Sequence, residues 1–234
     1  GGTVQITATE TFRSDNSKVT TAAEQGAGGD ITITSQNVQL ANGSEVSAKS
    51  SGLGDAGNIT ITANDMLLLN DSFVTTEAIR ADGGNIKINN DYMVFLGESE
   101  ITASVGGGPD TVGGNVFIDP QYVILRNSNI TANAFEGRGG NIRIVAGTYL
   151  ADLNSTVDAS SDKGIDGTVD IRAPIKDVSQ KVSPLPEEYI RVAELLREAC
   201  IARVRGGEYS SFVMGGREGL PMEPGTLLPS PLGV

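Results

Sequence analysis

A glycine-led turn followed by a short apolar strand occurs seven times along this chain, and that recurrence restricts its fold more than any other feature. The first copies read Gly1-Gly2-Thr3-Val4-Gln5-Ile6, Gly28-Gly29-Asp30-Ile31-Thr32-Ile33 and Ala56-Gly57-Asn58-Ile59-Thr60-Ile61. Gly84, Gly114, Gly140 and Gly167 lead the others, so the second glycines are 27, 28, 27, 30, 26 and 27 residues apart. A fixed period of this size marks a solenoid, whose repeats bury their apolar faces only against each other.

Each repeat carries three strand signals separated by turn residues. The first is the Ile-x-Ile alternation after the glycines. The second is an apolar run: Val38-Gln39-Leu40, Met66-Leu67-Leu68-Leu69, Val94-Phe95-Leu96, Val123-Ile124-Leu125 and Tyr149-Leu150. The third begins with serine, as in Ser44-Glu45-Val46-Ser47-Ala48, Ser99-Glu100-Ile101-Thr102-Ala103 and Ser128-Asn129-Ile130-Thr131-Ala132. Three short strands with no helical pattern between them predict an all-β, right-handed parallel β-helix of six to seven coils over residues 1–174. With strands about 4.8 Å apart, the coils make a rod of roughly 30 Å. Ile31, Ile33, Ile59, Ile61, Ile86, Ile88, Ile142 and Ile144 are expected in one internal stack, and Val46, Val74, Ile101, Ile130 and Val157 in another. A core this narrow admits few aromatic rings, in keeping with an aromatic content of 5%.

Turn positions repeat as strictly as strands. Asn58, Asn85, Asn115 and Asn141 follow the second glycine and are expected to form an amide ladder along the axis. The glycines (Gly29, Gly57, Gly84, Gly114, Gly140, Gly167) are expected to supply positive-φ turns. Ser44, Ser72, Ser99, Ser128 and Ser155 read as a column of bend-formers, and no histidine exists to activate them as nucleophiles.

The net charge is −12 and unevenly spread. Residues 1–174 hold 10 Lys and Arg against 21 Asp and Glu, and the remainder 7 against 8. An acidic rod has the wrong sign for phosphate backbones, so nucleic acid is not an expected partner. One cysteine, Cys200, and no histidine exclude a disulfide framework and argue against zinc. No apolar stretch reaches the length of a membrane-spanning helix. Opening in mid-repeat, the chain reads as part of a longer one.

Beyond residue 174 the composition changes. Residues 175–186 read as a proline-punctuated linker, and 187–204 as an amphipathic helix with Ile190, Ala193, Leu196, Cys200 and Val204 near one face. Tyr209 to Met214, including Phe212, reads as one short strand, and the Gly/Pro-rich remainder, including Arg217, as an extended strap. Ile190, Leu196, Cys200, Phe212 and Arg217 are the candidate cap or assembly residues of residues 187–234.

The repeat and the tail together resemble the filamentous haemagglutinin-like exoproteins of two-partner secretion. The repeat resembles their β-helical shafts. The tail resembles a C-terminal end found in cyanobacterial and related members: a cysteine segment (Cys200), then Ser210-Ser211-Phe212-Val213, then Gly216-Arg217-Glu218-Gly219-Leu220-Pro221. Glu218 and Gly215 depart from that signature, where glycine and threonine are usual. The resemblance implies a secreted, extracellular or outer-membrane-associated rod of a Gram-negative bacterium, working in adhesion or as a surface filament. It implies an outer-membrane transporter as a partner; the other expected partners are copies of the chain stacked head to tail through an open first coil and a tail-bearing last coil, or cell-surface glycans.

Two other readings compete. A polysaccharide lyase or hydrolase needs paired carboxylates, and Asp55, Asp82 and Asp110 precede three successive glycine turns, with Arg80, Arg138 and Lys163 as loop cations to neutralise a uronate. Calcium is the one cofactor with any signal, in the Gly52-Leu53-Gly54-Asp55 and Gly106-Gly107-Gly108-Pro109-Asp110 turns. Phe73, Phe117 and Phe135 are expected as outward aromatics on an otherwise polar rod.

Overall fold

The structure is a computed structural model that describes residues 1–24 and 26–176. The expected helix, strand and strap of residues 187–234, with Ile190, Leu196, Cys200, Phe212 and Arg217, lie outside the described residues.

The described chain is an all-β solenoid of about six coils, with no helix among the described residues. Coil 1 holds β1 (Val4–Thr7), β2 (Thr11–Asp15) and β3 (Lys18–Thr20). Coils 2 and 3 are each one bent strand, β4 (Ile31–Ser47) and β5 (Ile59–Thr75). Coil 4 holds β6 (Ile86–Asn90), β7 (Met93–Gly97) and β8 (Glu100–Thr102), and coil 5 holds β9 (Val116–Asp119), β10 (Tyr122–Arg126) and β11 (Asn129–Thr131). Coil 6 holds β12 (Asn141–Val145), β13 (Thr148–Ala151) and β14 (Thr156–Asp158), followed by β15 (Thr168–Arg172) and β16 (Ile175–Lys176). Ile175 and Lys176, which the sequence assigns to a linker, pair with Thr148 and Tyr149 of β13.

Every strand pairing is parallel and aligns equivalent residues of the repeat, with register shifts between β4 and β5 at Ser35/Asn37 and Ala41/Ser44. In the first sheet Ile6, Ile33, Ile61, Ile88, Ile118, Ile144 and Ile171 are successive partners. In the second, Phe12, Val38, Leu67, Val94, Val123 and Tyr149 align. In the third, Val19, Val46, Val74, Ile101, Ile130 and Val157 align. These side chains fill one continuous core, with Ile33, Ile61, Ile88, Ile101, Ile118 and Ile144 fully excluded from water. Burial of each such side chain contributes about 1.5–3 kcal/mol. β-Branched residues suit the task because their restricted rotamers stack on a pleated surface.

A fourth ladder, absent from the sequence reading, runs beside the three sheets. Ala23, Ser50, Ala78, Val105, Ala134 and Ser161 pair in series as single parallel bridges. They belong to the loop between the third strand and the next glycine turn. The second glycine closes that loop: Gly57 N–H donates to Ala48 O (2.9 Å), Gly114 to Ala103 O (2.8 Å) and Gly140 to Ala132 O (2.7 Å). Each acceptor is the residue directly after a third-sheet strand. Each coil therefore has a waist, with the main core on one side and a lobe holding a small cluster (Ala56, Ala78, Val105, Ala134) on the other. The 30-residue step between Gly84 and Gly114 coincides with a longer lobe loop through Gly106, Gly107 and Gly108.

The glycines do not supply positive φ, which corrects the sequence expectation. Among the described glycines only Gly43 is left-handed, at φ 79°. The repeated glycine is instead required by axial contact. A Cβ on Gly84 would lie 1.9 Å from Gly57 O, and one on Gly114 would lie 1.9 Å from Gly84 O. The same holds at Gly29, Gly57, Gly140 and Gly167, where the gap is 1.8–2.1 Å. The left-handed residues stand at a different corner, before the third sheet: Asn16, Asn42, Asp71, Glu98 and Asn127, with φ between 45° and 56°.

Candidate interaction surface

Inward residues of the three sheets are spent on the core, so any recognition falls to the outward ones. On the first sheet the outward column reads Gln5, Thr32, Thr60, Lys87, Phe117, Arg143 and Asp170. On the third it reads Lys18, Glu45, Phe73, Glu100, Asn129 and Thr156, with Lys18 Nζ 2.8 Å from Glu45 Oε2. Both faces are mainly polar. The second sheet differs: Arg13 and Gln39 give way to Leu68, Phe95, Ile124 and Leu150 in coils 3–6. The neighbouring outward column adds Met66, Met93 and Tyr122.

This strip is organised. Tyr92 and Tyr122 meet edge to face, with ring centroids 5.4 Å apart and planes at 75°. The Arg126 guanidinium lies 5.8 Å from the centre of the Phe95 ring. Along the corner toward the first sheet runs an open groove of about 490 Å³, lined by Asn90, Asp91, Asp119, Pro120, Gln121 and Val145 among others. Buried Asn90 donates through Nδ2 to Ala63 O (2.7 Å), while its Oδ1 has no partner.

The aromatics singled out in the sequence are not brought together. Phe73 lies on the third sheet, Phe117 on the first, and Phe135 on the lobe with Lys163 Nζ 4.1 Å from its ring centre. The strip was overlooked because its residues stand in unbroken apolar runs, which read as core.

The repeated polar residues form ladders. Asn85 N–H and Nδ2–H both donate to Asn58 Oδ1 (3.0 Å each), and Asn115 does the same to Asn85 Oδ1 (3.0 and 2.8 Å). Asn141 repeats it onto Asn115. Asp30 begins the ladder, accepting from Asn58, and the Thr168 hydroxyl ends it on Asn141 Oδ1 at 2.6 Å. The serines make a second, buried ladder. Ser72 N–H donates to Ser99 Oγ (3.1 Å), Ser99 to Ser128 Oγ (3.1 Å) and Ser128 to Ser155 Oγ (3.0 Å).

Two of the three loop acids considered for glycan cleavage, Asp55 and Asp82, are held in backbone contacts. Asp55 Oδ1 accepts Asp82 N–H (3.2 Å), and Asp82 Oδ1 accepts Val112 N–H (2.8 Å). Among the described residues no three acidic or cysteine side chains converge as a metal site. At the corner before the third sheet, hydrogen bonds from the Asn42 amide and then Arg13 hold the Asp15 carboxyl below its usual range. The Ser155 hydroxyl, together with the backbone N–H of Asn127, does the same to Asp152. Burial pushes the Tyr149 phenol up to about 12.

Comparison with known protein families, with curated proteins and with solved structures finds no match to this chain.

Proposed function

We propose that this chain is a structural or adhesive part of a secreted surface protein: a right-handed β-helical rod that contacts other molecules through its side. The observation that carries the reading is the one-sided strip of half-buried Leu68, Phe95, Ile124 and Leu150, with exposed Tyr92 and Tyr122 beside it, on a solenoid whose other two sheet faces are mainly polar. A contiguous apolar strip that stays partly open to solvent and is rimmed by polar groups is a candidate contact site. The resemblance to filamentous haemagglutinin-like exoproteins supports an extracellular setting, a secretion partner in the outer membrane, and either head-to-tail copies or surface glycans as ligands. The alternative, a glycan-cleaving enzyme, draws its support from fold analogy alone. Its carboxylates Asp55 and Asp82 already serve the turns.

The test compares the purified chain with a Phe95→Ser, Ile124→Ser variant in adhesion to cells and glycan-coated surfaces and in assembly by electron microscopy. Loss of adhesion or assembly with an unchanged circular dichroism spectrum is expected. Unaltered behaviour of the variant, or polysaccharide cleavage by both proteins, overturns the reading.

A further inference from the structure

The corner before the third sheet is built alike in coils 1, 3, 4 and 5, with one left-handed residue: Asn16, Asp71, Glu98 and Asn127. Coil 2 departs from this. It uses two consecutive left-handed residues, Asn42 at φ 56° and Gly43 at φ 79°. The extra residue falls out of the strand registers. On one side pairing stops at Asp15 with Ala41 and resumes at Lys18 with Glu45. On the other it stops at Ala41 with Asn70 and resumes at Ser44 with Ser72, across a register shift. The serine ladder reflects the same break, since Ser17 N–H reaches Ser44 Oγ only at 3.4 Å. Asn42, exposed, and Gly43, half-buried, therefore form a turn whose backbone stands outside the strand pairing within an otherwise continuous strand.

Asn42 is also the only asparagine in the chain followed by glycine. Glycine offers no side chain to obstruct attack by its own nitrogen, and its backbone reaches conformations closed to other residues. We propose that Asn42 is a site of spontaneous covalent modification, in which the chain deamidates itself at the coil 2 corner. The Gly43 nitrogen loses its proton and bonds to Asn42 Cγ, the Cγ–Nδ2 bond breaks, and ammonia leaves with the proton taken from solvent. Water then opens the resulting five-membered imide. Cleavage at one carbonyl gives aspartate, and cleavage at the other gives isoaspartate, with the backbone rerouted through the side chain. An intramolecular attack of this kind gains from proximity that no external nucleophile has.

The position has a consequence for the fold. Asn42 Nδ2 donates to Asp15 Oδ1 at 2.8 Å, joining coil 2 to coil 1. Deamidation removes that donor and sets a carboxylate against the Asp15 carboxylate, a like-charge pair that disfavours the ionised forms. The modification thus loosens the seam between the first two coils, and it accumulates with the age of the molecule.

The experiment incubates the folded chain at mildly alkaline pH and maps asparagine peptides by mass spectrometry, with isoaspartyl methyltransferase marking the rearranged product. Asn127, left-handed but followed by serine, is the control within the same molecule. Conversion at Asn42 is expected on the order of tenfold faster than at Asn127, rising with pH as the Gly43 nitrogen ionises. The modified fraction should also show faster hydrogen exchange in coil 1. An Asn42→Gln variant should lose the product at that position while every other site stays the same. Equal rates at Asn42 and Asn127 overturn the proposal. So does an Asn42 that converts only after the chain is unfolded in denaturant, because the folded turn would then be blocking the attack.

Discussion

In coils 2–5 two corners do the same geometric job by opposite means. At the glycine corner the coils approach so closely along the axis that a Cβ has no room, while φ stays in the ordinary range. At the serine corner there is room for a side chain, while the backbone must turn left-handed, and Asn, Asp and even Glu are found there. One corner is therefore selected by contact between coils and the other by conformation within a coil. Substitutions should separate the two, because crowding is insensitive to φ preference and a left-handed φ is insensitive to neighbours.

The largest effect is expected at Gly84. In Gly84→Ala the new methyl meets the Gly57 carbonyl oxygen at 1.9 Å, and a rigid backbone on both sides cannot yield. A loss of roughly 4 kcal/mol or more, or failure to fold, is expected in chemical denaturation. Gly2→Ala is the sharper control, because it stands at the same place in the repeat and a Cβ there would have nothing within 4 Å. If both variants unfold at the same denaturant concentration, crowding at the second glycine is not what selects it.

The next effect belongs to the serine corner. Ser99 accepts Ser72 N–H at 3.1 Å and donates to Gly97 O at 2.8 Å, and it is almost wholly buried. Ser99→Ala leaves the Ser72 N–H without a partner in the interior, at a cost of about 1–3 kcal/mol. A smaller change of opposite sign is expected one residue earlier. Glu98 holds φ 51° with an exposed side chain. Asparagine tolerates that conformation better than glutamate. Glu98→Asn should therefore stabilise the chain by about 0.5–1 kcal/mol in thermal melts. A destabilised Glu98→Asn variant would remove conformation as the rule at this corner.

The contrast also explains what was legible beforehand. The isoleucine and valine columns were readable because a period of two within strands, repeated at every coil, leaves one inward assignment. The asparagine ladder was readable because a residue at one repeat position must meet its own copies. The role of the glycines was not, since sequence records that a side chain is absent without saying which constraint removed it. Leu68, Phe95 and Ile124 were hidden because parallel strands buried on both faces also read as unbroken apolar runs. The fourth ladder was hidden because Ala23, Ser50, Ala78 and Ala134 are small residues with no strand signature.

The smallest effect is electrostatic and confined to the serine corner. Asp15 and Asp152 are held below their ordinary value of 3.8, Asp15 mainly by the Asn42 amide and Asp152 mainly by the Ser155 hydroxyl. Glu45 is held below 4.5 mainly by Lys18. A carboxyl whose pKa is lower folded than unfolded adds stability that is complete above the unfolded value. That stability is lost as pH falls through the folded one. Stability should accordingly be flat from neutral pH down to about 5 and decline below about 4, in an acid limb read by melting temperature. Asp152→Asn should flatten that limb slightly, because the Ser155 and Asn127 donors then face a group that does not titrate. The glycine corner gives the comparison its point. Its ladder is carried by the amides of Asn58, Asn85, Asn115 and Asn141, which carry no titratable proton. Hydrogen exchange at low pH should therefore open the serine corner while the asparagine ladder remains protected, and simultaneous opening would mean that the two corners are one cooperative unit.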